Sequence, residues 1–164
     1  MYIKKAARRP GKSAQNILDS IRRIVKALRV SSKLAEKHLG ISGAQLFVLQ
    51  KLGDGSTLSI NELARRTLTH QSSVSVVVSR LIERGLVLHR SSENDARKMD
   101  ISLSAKGHSF LKKAHPAAQE KLITAICKLS AGQSAALSDL LRALVTKAGL
   151  ADDRPQLFFE NEEE

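Results

Sequence analysis

The apolar residues of this chain change their period twice, and that change limits the fold more than any total does. From Ser13 to about Leu39, Ile17, Ile21, Ile24 and Leu28 recur at spacings of four, three and four, the stripe of one long helix. Helical patterns continue as far as Gly85. Past it, LVLHR reads as a strand, SSENDA as a turn, and KMDISLS alternates, with Met99, Ile101 and Leu103 on one face and Asp100 and Ser102 on the other. At Ser104 the helical period returns. The expected fold class is mainly α with a small β-hairpin, whose apolar face has to dock on the helices.

The helix starts share one chemistry. Ser42 is followed three residues on by Gln45, Ser59 by Glu62 and Ser130 by Gln133, so each hydroxyl can accept from a first-turn amide while the longer side chain reaches back to the cap. These pairs predict helices over 43–52, 60–67 and 131–148. GDGSTLS, between the first two, reads as a tight turn and a short extended segment. A further helix starts near Thr69 and stops at Gly85, burying Val74, Val78, Leu81 and Ile82. Its successive valines are poor helix formers, so packing has to decide in its favour. Ser104 is expected to cap a long helix kinked at Pro116.

Charge narrows the partner. The 164 residues hold 27 Lys and Arg against 16 Asp and Glu, a net +11. Six of the acids but only one base, Arg154, lie beyond Leu150, so residues 1–150 carry +16. Such a body fits a polyanion, nucleic acid first, although solubility alone would be served by an excess of either sign. An aromatic content of 3%, without Trp, argues against a stacking platform for single strands.

Other classes recede on the same inspection. One cysteine, Cys127, excludes an internal disulfide and fits a reducing cytosol. In an apolar helix it reads as a small hydrophobe, and redox sensing would need a resolving partner. MYIKKAARRPGK has no apolar h-region, and no later run reaches the roughly 18 apolar residues of a membrane span, so a soluble, cytoplasmic protein is expected. His108 and His115 are spaced as two turns of one helix, a conceivable zinc pair, but lack acidic or Cys neighbours. Phosphate loops, GxSxG and HExxH are absent. The expectation is no enzyme, no catalytic residue, no cofactor and no metal.

Two short helices joined by a tight turn, followed by a basic hairpin, describe a winged helix-turn-helix. The major groove of B-DNA admits one α-helix, and small hydroxyl and amide side chains on it can reach base edges. A hairpin can then lay a cation along the neighbouring minor groove. The segments that carry this reading are ELARRT, SSVSVVVSRLIERGLV, DAR and LSAKG. In order and spacing they resemble the multiple-antibiotic-resistance regulator (MarR) family, whose pattern runs from a helix through Leu-Glu-x-x-Gly-Leu-Val and an Asp-x-Arg wing to Leu-Thr-x-x-Gly. The likeness is continuous from about Ser42 to Gly107.

The resemblance implies roles position by position. Arg97 matches the wing Arg of the minor groove, and Asp95 the Asp that braces it, often by pairing with a recognition-helix Arg placed like Arg80. His70, Gln71, Ser72, Ser73, Ser75 and Val76 fall where the major groove is read. Arg80 also reads as an ordinary solvated residue, and Asp95 as a turn starter. There are departures: His89 stands where the family usually has Arg, Ala96 where a second wing Arg is common, and Val76 where a polar or basic residue is frequent. Arg90, Lys98 and the arm residues Lys4, Lys5, Arg8 and Arg9 are the candidates to compensate, and Arg97 should carry more of the minor-groove contact than is usual.

The likeness also implies a partition into a flexible basic arm (1–12), an N-terminal dimerisation helix (13–40), the DNA-binding domain (41–104), C-terminal dimerisation helices (105–149) and an acidic tail, disordered or packed on the partner (150–164). The expected function is a homodimeric repressor on a pseudo-palindromic operator in double-stranded DNA. A small aromatic or phenolic acid would release it from a cleft that Arg22, Arg23 and Gln45 would line. The alternative is a sequence-neutral DNA binder or adaptor, a helical dimer without effector response. A tail that folds back on the basic body and competes with DNA is a further expectation.

Overall fold

The computed structural model describes residues 11–92, 95–152 and 155–159, the side chains of 92–98 aside. In chain order the elements are α1 (Lys12–Leu39), α2 (Gly43–Lys51), β1 (Leu58–Ser59), α3 (Ile60–Thr67), α4 (Gln71–Glu83), β2 (Val87–Ser92), β3 (Asp95–Leu103), α5 (Ala105–Leu111), α6 (Ala118–Cys127) and α7 (Ala131–Lys147). The three Ser-x-x-Gln/Glu pairs form complete capping boxes at α2, α3 and α7. At α2, the Gln45 amide donates to Ser42 Oγ at 3.2 Å and the Ser42 amide donates to Gln45 Oε1 at 3.0 Å. Gly40, at φ 64, turns the chain out of α1 with its N–H on the Glu36 carbonyl.

The hairpin belongs to a three-stranded antiparallel sheet, in the order β1-β3-β2. Its third strand is the short extended segment after the GDGS turn, which pairs Leu58 with Ile101. Ile101 and Leu103 enter the core, but Met99, expected on the same anchoring face, is 45% exposed. β1 reaches only to Asp100 and Ile101, so Met99 lies past the covered part of the sheet. The core itself gathers Phe47 and Leu49 from α2, Leu52 just after it, Leu63 from α3, and Val74, Val77, Val78 and Leu81 from α4. Each such side chain contributes about 1.5–3 kcal/mol on burial, enough to hold a valine-rich α4 as a helix.

The long helix expected after Ser104 is broken, not kinked. α5 ends at Leu111 and α6 begins only at Ala118. Pro116 disfavours helical backbone at the residue before it and offers no N–H. The side chain of Gln50 serves the break: its Nε2 donates to the His115 carbonyl at 2.9 Å, and its Oε1 accepts from the Ala117 amide at 3.0 Å. His115 thus sits in the break while His108 sits in α5, so the two do not share a helix face. Among the described residues, no helix is long and apolar enough to cross a membrane.

Two helices leave apolar surface uncovered. α1 buries Leu28, Ser32 and Ala35, but Ile17, Leu18, Ile24 and Val25 in its first half are exposed. α7 buries nothing, although Leu137, Leu140, Leu141, Leu144 and Val145 lie along it. Cys127, at the end of α6, is exposed in the single chain. Leu157, in contrast to the expectation of a disordered or partner-packed tail, is buried at 6% exposure in the core of its own chain.

Candidate nucleic-acid interface

α3, the turn and α4 build the part that can meet a duplex. The Ser59 cap starts α3, and the hydrogen bonds from Ser59 hold the Glu62 carboxyl below its ordinary pKa, the backbone N–H contributing most. α3 ends at Leu68, whose φ of 53 is rare for a residue with a Cβ and bends the chain sharply. Thr67 Oγ1 donates to the Leu63 carbonyl at 2.8 Å and secures the last turn. α4 then starts at Gln71 with His70 as its N-cap and no side-chain bond at that cap.

The faces of α4 are sharply divided. Val74, Val77, Val78 and Leu81 are buried, whereas Gln71, Ser72, Ser75, Val76 and Ser79 form one exposed stripe, continued at its start by His70. Ser73 departs from its expected place on that stripe: it is only 6% exposed, because it shares the face of Val77 and Leu81 one and two turns on. Arg80 is half-buried. The stripe offers amide, hydroxyl and methyl groups to a groove.

The wing begins from a tied base. Ser104 Oγ donates to the Gly85 carbonyl at 2.7 Å and accepts from the Gly107 amide at 2.9 Å, while the Ser104 amide donates to the Leu86 carbonyl at 3.1 Å. Lys106 Nζ adds a bond to the Arg84 carbonyl at 2.7 Å. The LSAKG segment therefore closes both strand ends on the end of α4. Outward from this base the pairs run regularly from Val87↔Leu103 to Ser91↔Met99, with Arg90 opposite Asp100, and then slip before Ser92↔Asp95. His89 and Arg90 are exposed. The backbones of Asp95, Arg97 and Lys98 belong to β3, but their side chains, like the whole of Lys4, Lys5, Arg8 and Arg9, lie outside the described residues.

A second brace, which the sequence reading passed over, joins the end of α2 to α3. Arg66 Nη1 donates to Asp54 Oδ2 at 2.8 Å, to Ser56 Oγ at 3.1 Å and to the Lys51 carbonyl at 3.1 Å. The Ser56 hydroxyl and amide, and then Arg66, lower the Asp54 pKa from 3.8 to about 2. A carboxyl whose pKa is lower folded than unfolded contributes stability above the unfolded value and loses it as pH falls through the folded one. The brace should therefore weaken between about pH 4 and pH 2. Asp54→Asn should remove that part of the acid-side loss in a stability titration; an unchanged acid limb would rule the brace out as its source. The signal was an Asp-x-Ser turn ahead of a double Arg.

The three residues expected at an effector are not brought together. Gln45 is buried and engaged in the Ser42 cap, Arg22 pairs with Asp19 at 2.8 Å on the outside of α1, and Arg23 is exposed. Two clefts exist instead. One, of about 380 Å³, has a floor of Val30, Leu34, Ala35, Leu39 and Leu46 and a rim of His38, Lys113, His115 and Lys121. The other, of about 350 Å³, lies between the helix-turn-helix and α6, with the segment from Pro155 to Phe158 along it.

Comparison with known proteins places this geometry. A sequence model of the MarR family matches residues 39–98. The HTH-type transcriptional repressor MdtR of Bacillus subtilis (strain 168) is 30% identical over 100 residues, 58% of this chain, and the match spans 64% of MdtR. Among solved structures, a probable transcriptional regulator from Pseudomonas aeruginosa is 27% identical, with a TM-score of 0.55 over 81% of this chain and 99% of that one. A mutant of E. coli MarR complexed with operator DNA shares the fold at 21% identity, with a TM-score of 0.54 over 82% of this chain and 99% of that one.

Proposed function

We propose that this chain, whose residues 39–98 match a sequence model of the MarR family, is a transcriptional repressor binding a pseudo-palindromic operator as a homodimer. One observation carries the reading: a packed helix-turn-helix whose α4 exposes Gln71, Ser72, Ser75 and Val76 beside a wing that presents Arg90. Polar tips on α4 can read base edges, and Val76 can touch a thymine methyl. His70, Arg80, Asp95, Arg97 and Lys98 complete the proposed interface, with Arg97 in the minor groove.

The dimer is supported by the apolar residues of α1 and α7 that the described residues of one chain leave uncovered. Two-fold symmetry would set two α4 helices about one duplex turn, roughly 34–36 Å, apart. The cleft rimmed by Lys113, His115 and Lys121 has an apolar floor and cationic edge suited to a small aromatic acid. An acid bound there would release DNA only by favouring a different spacing of the two α4 helices.

The test is a titration of the chain's own upstream DNA against scrambled DNA across salt, repeated with Arg97→Ala and with salicylate present. Retention on the specific sequence should fall by about 1–3 kcal/mol in Arg97→Ala. Equal binding to both sequences at every salt would instead describe a neutral binder. Salicylate should weaken the specific complex of the parent chain.

A further inference from the structure

The cleft between the helix-turn-helix and α6 is closed on one side by the chain's own C-terminal segment. Its walls are Phe47 from α2, the turn Thr67–His70, and Gln119, Leu122, Ile123 and Ile126 from α6; the remaining wall is the chain's own segment from Pro155 to Phe158. Leu157 is 6% exposed and joins the main core, while Phe158, next to it, is half exposed. Gln119 Nε2 donates to the Phe158 carbonyl at 3.3 Å. The segment is turned at its end by Phe159, at φ 62, a conformation that persists in a residue with a Cβ only where surrounding contacts impose it.

The seat is incompletely satisfied. Gln119 is 6% exposed, and its Oε1 is buried without a hydrogen-bond partner among the described residues. A buried acceptor left without a donor costs free energy, which the tail bears while it closes the cleft. A molecule that fills the same apolar space and also donates to Gln119 Oε1 would bind without that cost.

We infer that this cleft is a ligand site which the chain closes with its own C-terminal segment, Leu157 forming a displaceable wall. Its competitor is a small apolar molecule bearing an O–H or N–H donor. The site shares no lining residue with the cleft rimmed by Lys113 and Lys121. It adjoins His70 and Leu68, at the start of α4, so displacement of that wall acts where the recognition helix is set. The acids of the tail, Glu160 and Glu162–Glu164, follow the seat directly in sequence. Release of the segment lengthens the tether of those acids, which lowers their effective concentration near the start of α4 and tightens DNA binding. Occupancy of the cleft stands independently of the operator reading; its effect on DNA rests on it.

The probe is N-phenyl-1-naphthylamine, an apolar fluorophore with one N–H donor, titrated into the full chain, Leu157→Ala and Leu157→Asp. Both variants should bind it about tenfold or more tightly than the parent, since the competing side chain is lost. A peptide of residues 151–164 added in trans should reverse the gain. Gln119→Leu, combined with Leu157→Ala, should lower probe affinity again through loss of the acceptor. Amide exchange of α4 and α6 in Leu157→Ala checks that the chain is still folded. Equal probe binding in parent and folded variants, or a gain insensitive to the peptide, overturns the inference. Salt-dependent tightening on duplex DNA in Leu157→Ala supports the link to the recognition helix; a probe response with unchanged DNA affinity overturns that link alone.

Discussion

Gly107→Ala should abolish the folded state at ordinary temperatures, whereas Gly132→Ala should be tolerated. A Cβ at Gly107 would stand 2.1 Å from the Leu86 carbonyl oxygen and 3.2 Å from Leu103 Cδ2. The first of these is backbone and cannot rotate away. It is also held, because the Leu86 carbonyl accepts from the Ser104 amide while the Gly107 amide donates to Ser104 Oγ. Relief would require α5 to part from the end of α4, opening the base of the wing. That cost exceeds the roughly 1–3 kcal/mol of ordinary overpacking and approaches the whole of a domain's 5–15 kcal/mol. At Gly132, within α7, nothing lies within 4 Å of the added carbon, and a helical Gly replaced by Ala gains about 0.5–1 kcal/mol. Urea unfolding of the two variants checks the contrast, and a cooperative, near-parental transition in Gly107→Ala would sink it.

Leu141→Asp is expected to leave the single chain folded and to destroy operator binding. α7 holds no buried residue, and Leu141 is 48% exposed, so the substitution costs little core packing within the chain. In the proposed dimer the same position is covered, and an unpaired carboxylate there would cost several kcal/mol. Two half-sites bound together gain from effective concentration, and losing that gain lowers affinity by about 10²-fold or more. Sedimentation should show a monomer, with unchanged circular dichroism, and the operator complex should weaken to the level of a single half-site. A variant that remains dimeric, or a monomer with parental operator affinity, would contradict the dimer as the DNA-binding unit. Ile24→Asp on the exposed half of α1 should act in the same direction.

The exposed stripe of α1 and Gly107 are unequally visible in the sequence. The stripe of α1 was plain in its spacing, and a helix with more apolar surface than its neighbours can cover implies a second chain. Gly107 was visible only as a matching letter in LSAKG. Its reason is an approach between α5 and the Leu86 carbonyl, 21 positions earlier in the sequence. The face of α4 was nearly legible from period alone. Ser73 was the exception, because a serine on the Val77 and Leu81 side can be buried without disturbing the pattern. Gln45 shows the opposite limit: the sequence marked it both as a cap partner and as an effector contact, and the fold buries it with its Oε1 on the Ser42 amide.

What the sequence determined by itself was local. Capping boxes at Ser42, Ser59 and Ser130 and the alternation through Ile101 and Leu103 involve residues a few positions apart, so their chemistry can be read in order along the chain. Tertiary structure alone decided what depends on distant partners. Leu58 became a strand by pairing with Ile101, the break at Pro116 was completed by Gln50, and Leu157 left an acidic tail for the core beside α6. In each case the energy comes from surface removed from water, or from a hydrogen bond closed, between segments far apart in sequence, and spacing along the chain carries no record of such meetings.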